Sequence, residues 1–335
     1  MTLHALEDLD DAVSAIRSLL TPIDAGLWLK LSIATFFIGG PAGNLAANTV
    51  NTAQGNGRIP IYPPVPGVSG GLPRIEAIVG VLVGLVVLVG LGFVLVGSIM
   101  EFVFVESLRT SRVRVRATWR ERWGQGVRLF GFRLFLGLLV TASVVGVGAF
   151  LLSPIVRGPT GSGLSFALIA LLLPVVSVVG LVVVLVSAFT TRFVVPVMLL
   201  DDCGVLAGWR SLWSSIRAQP WQYAAYALVA ALLSVATSIV VGIVMIVPAF
   251  VLLLPVAPLA LIGVAVVGGA PVLAAVLLAV AAGGYLAGLL AATAVVQVPV
   301  IGFIRYYAML VLGDIDPSLD PIPEVRAAVR DGETG

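Results

Sequence analysis

One cysteine, Cys203, one histidine, His4, and one lysine, Lys30, occur among the 335 residues. A single cysteine excludes a disulfide framework. With one histidine near a terminus there is no cluster to hold zinc or iron and no imidazole relay through a membrane. A Walker loop, H-E-x-x-H and C-x-x-C are also missing, so no cofactor and no metal are expected and the chain reads as non-enzymatic. Aspartates are the remaining source of a chemical centre. Asp201 and Asp202 could meet a cation or a headgroup, but they read more simply as an N-cap carboxylate of the helix that follows them. The acids near the C-terminus read as a solvated surface. The N-terminus lacks the basic n-region and short apolar h-region of a cleaved signal, so Met1 is expected at or near the start of the mature chain.

Charge is also scarce, at 11% of residues, while apolar residues reach 59% and the mean hydropathy is +1.12. A water-soluble chain of this size buries its core with far less. The apolar residues come in runs of 20 or more with almost no charge, the length an α-helix needs to cross about 30 Å of hydrocarbon. The alternation of a β-barrel does not appear. The expected fold is therefore all-α, a polytopic transmembrane bundle of about six spans.

The spans are expected near 27–43, 75–104, 129–152, 164–188, 224–247 and 276–304. Leu6, Leu9, Val13, Ile16 and Leu20 recur at helical spacing among acids, which predicts an amphipathic helix over 5–20 at the membrane surface. Val205, Trp209, Leu212, Trp213 and Ile216 predict a second near 203–217. Prolines and glycines predict an irregular loop over 44–74. Pro248, Pro255, Pro258 and Pro271 predict a broken connection over 248–271, either a re-entrant hairpin or an extra pair of helices. The polar tail after Gly313 is expected to be loosely ordered.

Eighteen arginines carry nearly all the positive charge, seven of them in the strip 107–128. Short loops rich in arginine stay in the cytoplasm. Placing the strip there puts both termini inside a cell membrane and leaves Arg58, Arg74 and Arg157 in outer loops. Nucleic-acid binding is not expected, because the strip carries membrane-facing tryptophans and no binding fold. Membrane lipids are the expected partners, with a second membrane protein or a second copy of the chain as further ones. Anionic headgroups would gain about 1 kcal/mol for each arginine near the surface.

ATWRERW at 117–123 and AGWRSLW at 207–213 share A-x-W-R-x-x-W, and AIRSLL at 15–20 aligns with GWRSLW at 208–213 at an offset that also sets Trp28 over Trp221. Three units result, about 1–105, 106–199 and 200–313, each an amphipathic helix followed by two spans. They form one transmembrane domain over 1–313, with 314–335 as a cytoplasmic tail. Arg17, Arg120 and Arg210 centre the three helices. Trp28, Trp119, Trp123, Trp209, Trp213 and Trp221 all fall on the same predicted side, as anchors in the headgroup region.

These segments carry a resemblance. HALEDLDDAVSAIRSLLTPIDAGLWLKL at 4–31 resembles the N-termini of uncharacterised multi-pass membrane proteins of halophilic archaea, and that similarity covers most of the chain. FVVPVMLLDDCGVLAGWRSLWSSIRAQPWQYAAYALVAALL at 193–233 more distantly resembles the membrane domain attached to some glycerophosphodiester phosphodiesterases. The soluble barrel of those enzymes has no counterpart here, so the resemblance implies architecture and no catalytic residue.

Ionisable residues in or near spans are costly and carry the default functional hypothesis. Glu101, Glu106, Arg133, Arg192 and Arg305 qualify, all toward the predicted cytoplasmic ends, where arginine snorkels. Glu101 has the shortest reach to water, and Arg133 is its expected partner. Two functions fit the sequence. A structural or accessory membrane component explains the apolar surface, and a small transporter explains the repeats and the interrupted segment 248–271. The first is favoured.

Overall fold

The computed structural model describes residues 4–21, 24–39, 73–157 and 162–332, all helical apart from short links. Two short helices come first, α1 (His4–Leu20) and α2 (Ala25–Gly39). Long helices follow: α3 (Pro73–Thr110), α4 (Val115–Arg157) and α5 (Ser162–Phe189). A π-helical turn, Thr190–Val194, joins α5 to α6 (Val195–Leu200). Then come α7 (Val205–Ala218), α8 (Pro220–Ala265) and α9 (Pro271–Ile315), a 3-10 turn at Pro317–Leu319, and α10 (Pro323–Gly332). Five of these stretches are long and apolar enough to cross a membrane, and α2 is a shorter apolar helix. The loop expected over 44–74 lies outside the described residues except for its last two positions, which open α3.

At 1.5 Å per residue, α3, α4, α8 and α9 are each roughly 55–70 Å long, about twice the hydrocarbon thickness. Their surplus at one end forms the core. There the last turns of α3 bury Ile99, Phe102, Phe104 and Leu108, and those of α9 bury Tyr306, Tyr307 and Met309. The π turn and α6 add Phe193 and Met198, and α7 adds Leu212. Rings interlock across these elements: Phe193 meets Tyr226 edge-on at 4.6 Å, and Tyr226 stacks on Tyr307 at 5.3 Å. The Tyr306 hydroxyl donates to the Leu108 carbonyl at 2.8 Å.

Small residues let the helices converge on this end, because close backbone approach maximises van der Waals contact where lipid gives no hydrophobic drive. A Cβ on Gly97 would stand 2.6 Å from the Phe37 carbonyl oxygen, so α2 and α3 touch backbone to backbone there. A Cβ on Gly126 would meet the Ile99 backbone Cα at 3.1 Å, where α4 crosses α3. Along the α8–α9 hairpin, Ala274 and Ala281 are buried, and Leu252 packs against Gly288. The seven-residue spacing keeps this seam on one face of α9.

Four expectations are corrected. The segment 248–271 is neither re-entrant nor an extra pair of helices: α8 runs unbroken through Pro248, Pro255 and Pro258, and a short turn leads into α9. An apolar helix tolerates proline because its neighbours and local adjustments re-satisfy the freed carbonyl. The tail is not loose, since α9 continues to Ile315 and α10 folds back with Val325 and Val329 against the core. The helix expected over 5–20 forms as α1, but its buried residues include Asp8, Asp11, Ala12, Ala15 and Ile16, while Val13 is half exposed, so it turns acids as well as apolar residues inward against the protein. The middle amphipathic segment is not a separate helix, because 115–123 forms the first turns of α4.

Candidate functional site

Glu101 lies nine residues before the end of α3, fully buried. Its carboxylate is shared. Arg133 of α4 donates from Nη2 to Oε2 at 3.1 Å, and Arg305 of α9 donates to Oε1. Arg133 also reaches Ser98 Oγ at 3.4 Å and Thr191 Oγ1 at 3.3 Å. Arg305 is almost as buried as Glu101 and donates its other arm to the Thr191 carbonyl.

That carbonyl is presented by the π turn. The backbone widens so that the Val195 N–H bonds back to Thr190, and the next residue, Pro196, has no N–H, so the Thr191 carbonyl is left without a ladder partner. The hydroxyl of Thr190 accepts from Trp209 Nε1 at 3.0 Å, which fastens α7 to the same turn. Arg192, two residues on, donates to Ser234 on α8 at 3.3 Å. One irregular turn therefore collects partners from α4, α7, α8 and α9.

Glu101 and Arg133, singled out together by the sequence, are thus brought into contact. Sequence reasoning also named Arg305 as an ionisable residue but not as a partner, since nothing in the chain states which spans are neighbours. The cluster holds two cations and one anion, each with hydrogen-bond partners. Its chemistry is that of a clamp across α3, α4 and α9. Pairing and hydrogen bonds offset the desolvation penalty that the three buried charges incur, which any one would bear uncompensated if alone.

The anchors divide by exposure. Arg17, Arg120, Arg210, Trp123, Trp213 and Trp221 are exposed, whereas Trp28, Trp119 and Trp209 are half-buried. Asp202 is not an N-cap: Gly204 occupies that position without a side-chain bond. Asp202 instead accepts from Arg122 at 2.8 Å and from Gln125 at 2.9 Å, fixing the start of α4 beside α7. Glu106 is half-buried, with one carboxylate oxygen enclosed and unpartnered. A G-x-S-x-G string does occur at 67–71, outside the described residues.

A second ionic group, which the sequence did not reveal, closes the same end. Arg330 donates to Asp8 at 3.2 Å, Asp11 at 3.0 Å and Asp314 at 2.7 Å, and Arg326 pairs with Asp314 at 2.9 Å and Asp320 at 3.4 Å. The hydrogen bond to Asp314, assisted by Asp11, raises the Arg330 pKa. Burial, then the facing Asp314, pushes the Asp8 carboxyl up to about 7. Burial and the neighbouring Asp201 push the Cys203 thiol up.

An all-α polytopic bundle with ionic clusters at one packed end defines a class of helical membrane protein. Within it, the chain belongs to a family of unknown function, DUF7544, which matches residues 3–322. No curated protein and no solved structure matches the chain.

Proposed function

We propose that the protein is a non-enzymatic structural or accessory component of the cell membrane, with both termini and the packed polar end in the cytoplasm. One observation carries this reading. Along α3, Val81, Leu82, Val83, Leu85, Val86, Val87, Leu88 and Val89 are all 53–71% exposed. Successive residues lie about 100° apart, so these positions cover the whole circumference. Among the described residues, this part of α3 is bare on every side and encloses no path with another helix. It offers apolar surface to lipid or to another membrane protein, while the ionic clamps hold the other end rigid. The arginine asymmetry supports the orientation.

Two experiments test the reading. Photo-crosslinkers at Val86 and Leu88 in native membranes should capture lipid or a second membrane chain. Purified protein in liposomes should show no solute flux above empty vesicles, and a substrate-dependent flux lost in Glu101→Gln would overturn the assignment. For orientation, cysteines are introduced singly into a Cys203→Ser background. A probe outside intact cells should label residue 268 at the tip of the α8–α9 hairpin and leave residue 111 unlabelled. Labelling of residue 111 would reverse the topology.

A further inference from the structure

Beyond the structural role, the packed end contains a cavity of about 650 Å³ between the α3–α4 link and the segment that opens α10. Its size falls within the range of small-molecule sites, roughly 300–1,000 Å³. Arg109, Arg112 and Arg114 line it, and so do Glu106, Glu121 and Glu324. Among the described residues, none of the three arginines forms an ion pair with any of the three glutamates. Glu106 and Arg109 are three apart on one helix, a spacing at which opposite charges ordinarily meet. The helix ends just beyond them: Ser111 takes a left-handed φ of 51° and redirects the chain, carrying Arg112 and Arg114 along the rim. One oxygen of Glu106, Oε2, is enclosed and has no hydrogen-bond donor.

Equal numbers of both charges, held apart, suit neither a bare anion nor a bare cation. An isolated phosphate would meet three carboxylates along with the guanidiniums, and an isolated amine would meet the reverse. We propose that this cavity binds a small zwitterion, an amine-bearing phosphate. Guanidiniums from Arg109, Arg112 and Arg114 grip the phosphate oxygens, for which their planar fork is suited. The ammonium supplies the donor that Glu106 lacks, with Glu121 and Glu324 nearby. The same chemistry is available from a soluble aminoalkyl phosphate or from the headgroup of an amine-bearing phospholipid.

Calorimetric titration of the full-length protein in detergent tests this with O-phosphoethanolamine, inorganic phosphate and ethanolamine. The zwitterion should bind saturably and at least about tenfold more tightly than either half. Arg112→Gln with Arg114→Gln should weaken it by about tenfold or more. Glu106→Gln should weaken the zwitterion while leaving phosphate unchanged or tighter, and exposed Glu324→Gln should act in the same direction without risk to the fold. Nanodiscs of phosphatidylglycerol, with and without phosphatidylethanolamine, separate the sources. If the amine lipid lowers the apparent affinity of the soluble probe, the headgroup occupies the cavity; equal affinity assigns the soluble ligand. Equal binding of phosphate and zwitterion with Glu106→Gln silent would overturn the proposal, as would no saturable binding by any probe.

Discussion

Arg330 donates from Nε to Asp11 Oδ2 at 3.0 Å, although 319 residues separate them. The contact ties the last helix of the chain to the first, and both to the end of α9 through Asp314. Arg330→Gln is expected to free α10 and leave Asp8, Asp11 and Asp314 facing one another. Because Arg330 is 43% exposed, solvent screens much of the attraction, and the loss should be about 1 kcal/mol. Hydrogen exchange should show the amides of α10 losing protection before those of the core.

Asp8 makes stability depend on pH. Its carboxyl titrates near 7 in the folded protein, against an ordinary aspartate value of 3.8. For an acid raised on folding, the stabilising contribution is complete below about pH 4 and is lost as pH rises through about 7. Asp11, Asp314 and Arg330 face it, and Arg330, its pKa raised, remains charged throughout this window. Melting temperature is expected to fall between about pH 4 and 7 in the native protein, and more weakly in Asp8→Asn. Equal slopes in the two proteins would remove Asp8 as the cause.

The Glu101 clamp predicts an order among variants. Glu101→Gln leaves two guanidiniums without their shared anion and should cost about 3–5 kcal/mol. Arg305→Gln should cost more than Arg133→Gln, because the Arg305 side chain is 6% exposed against 21% for Arg133. The double substitution Glu101→Gln with Arg305→Gln should cost less than the sum of the single losses. Thermal melts in detergent measure all five proteins, and strict additivity would show that the groups act independently.

Close helix crossings predict a contrast between glycines. Gly97→Ala pushes a methyl into the backbone oxygen of Phe37 and should destabilise by about 1–3 kcal/mol. Gly84 has open space around it, so Gly84→Ala should be neutral or stabilising by up to about 1 kcal/mol, as a better helix former replaces glycine. The same melts compare the two, and equal losses would place the strain elsewhere.

What the chain determines by itself is the class of fold and the segregation of charge. Runs of apolar residues longer than a bilayer admit only helices, because every buried backbone group must be satisfied within its own segment. The amphipathic pattern of α7 likewise reads directly, since Val205 and Leu212 are buried at the spacing of one helix face. Even α10 left a signal in Ile322, Val325 and Val329 at helical intervals, obscured by the prolines and acids around it.

Tertiary structure decided the partners. Glu101 could be placed near Arg133 because one short link joins their helices, yet Arg305 lies 204 residues away on α9, and periodicity does not encode which spans adjoin. Local rules also favoured water for Asp8 and Asp11; their inward turn meets a single arginine, Arg330, delivered by the far end of the chain. The release of the Thr191 carbonyl needs both the π turn, which takes the Val195 N–H to Thr190, and Pro196, which has no N–H to offer in its place; the sequence shows the proline but not the turn. Composition and period set what each segment prefers alone, while the pairing of charges in a low-dielectric core depends on geometry that exists only once the helices have met.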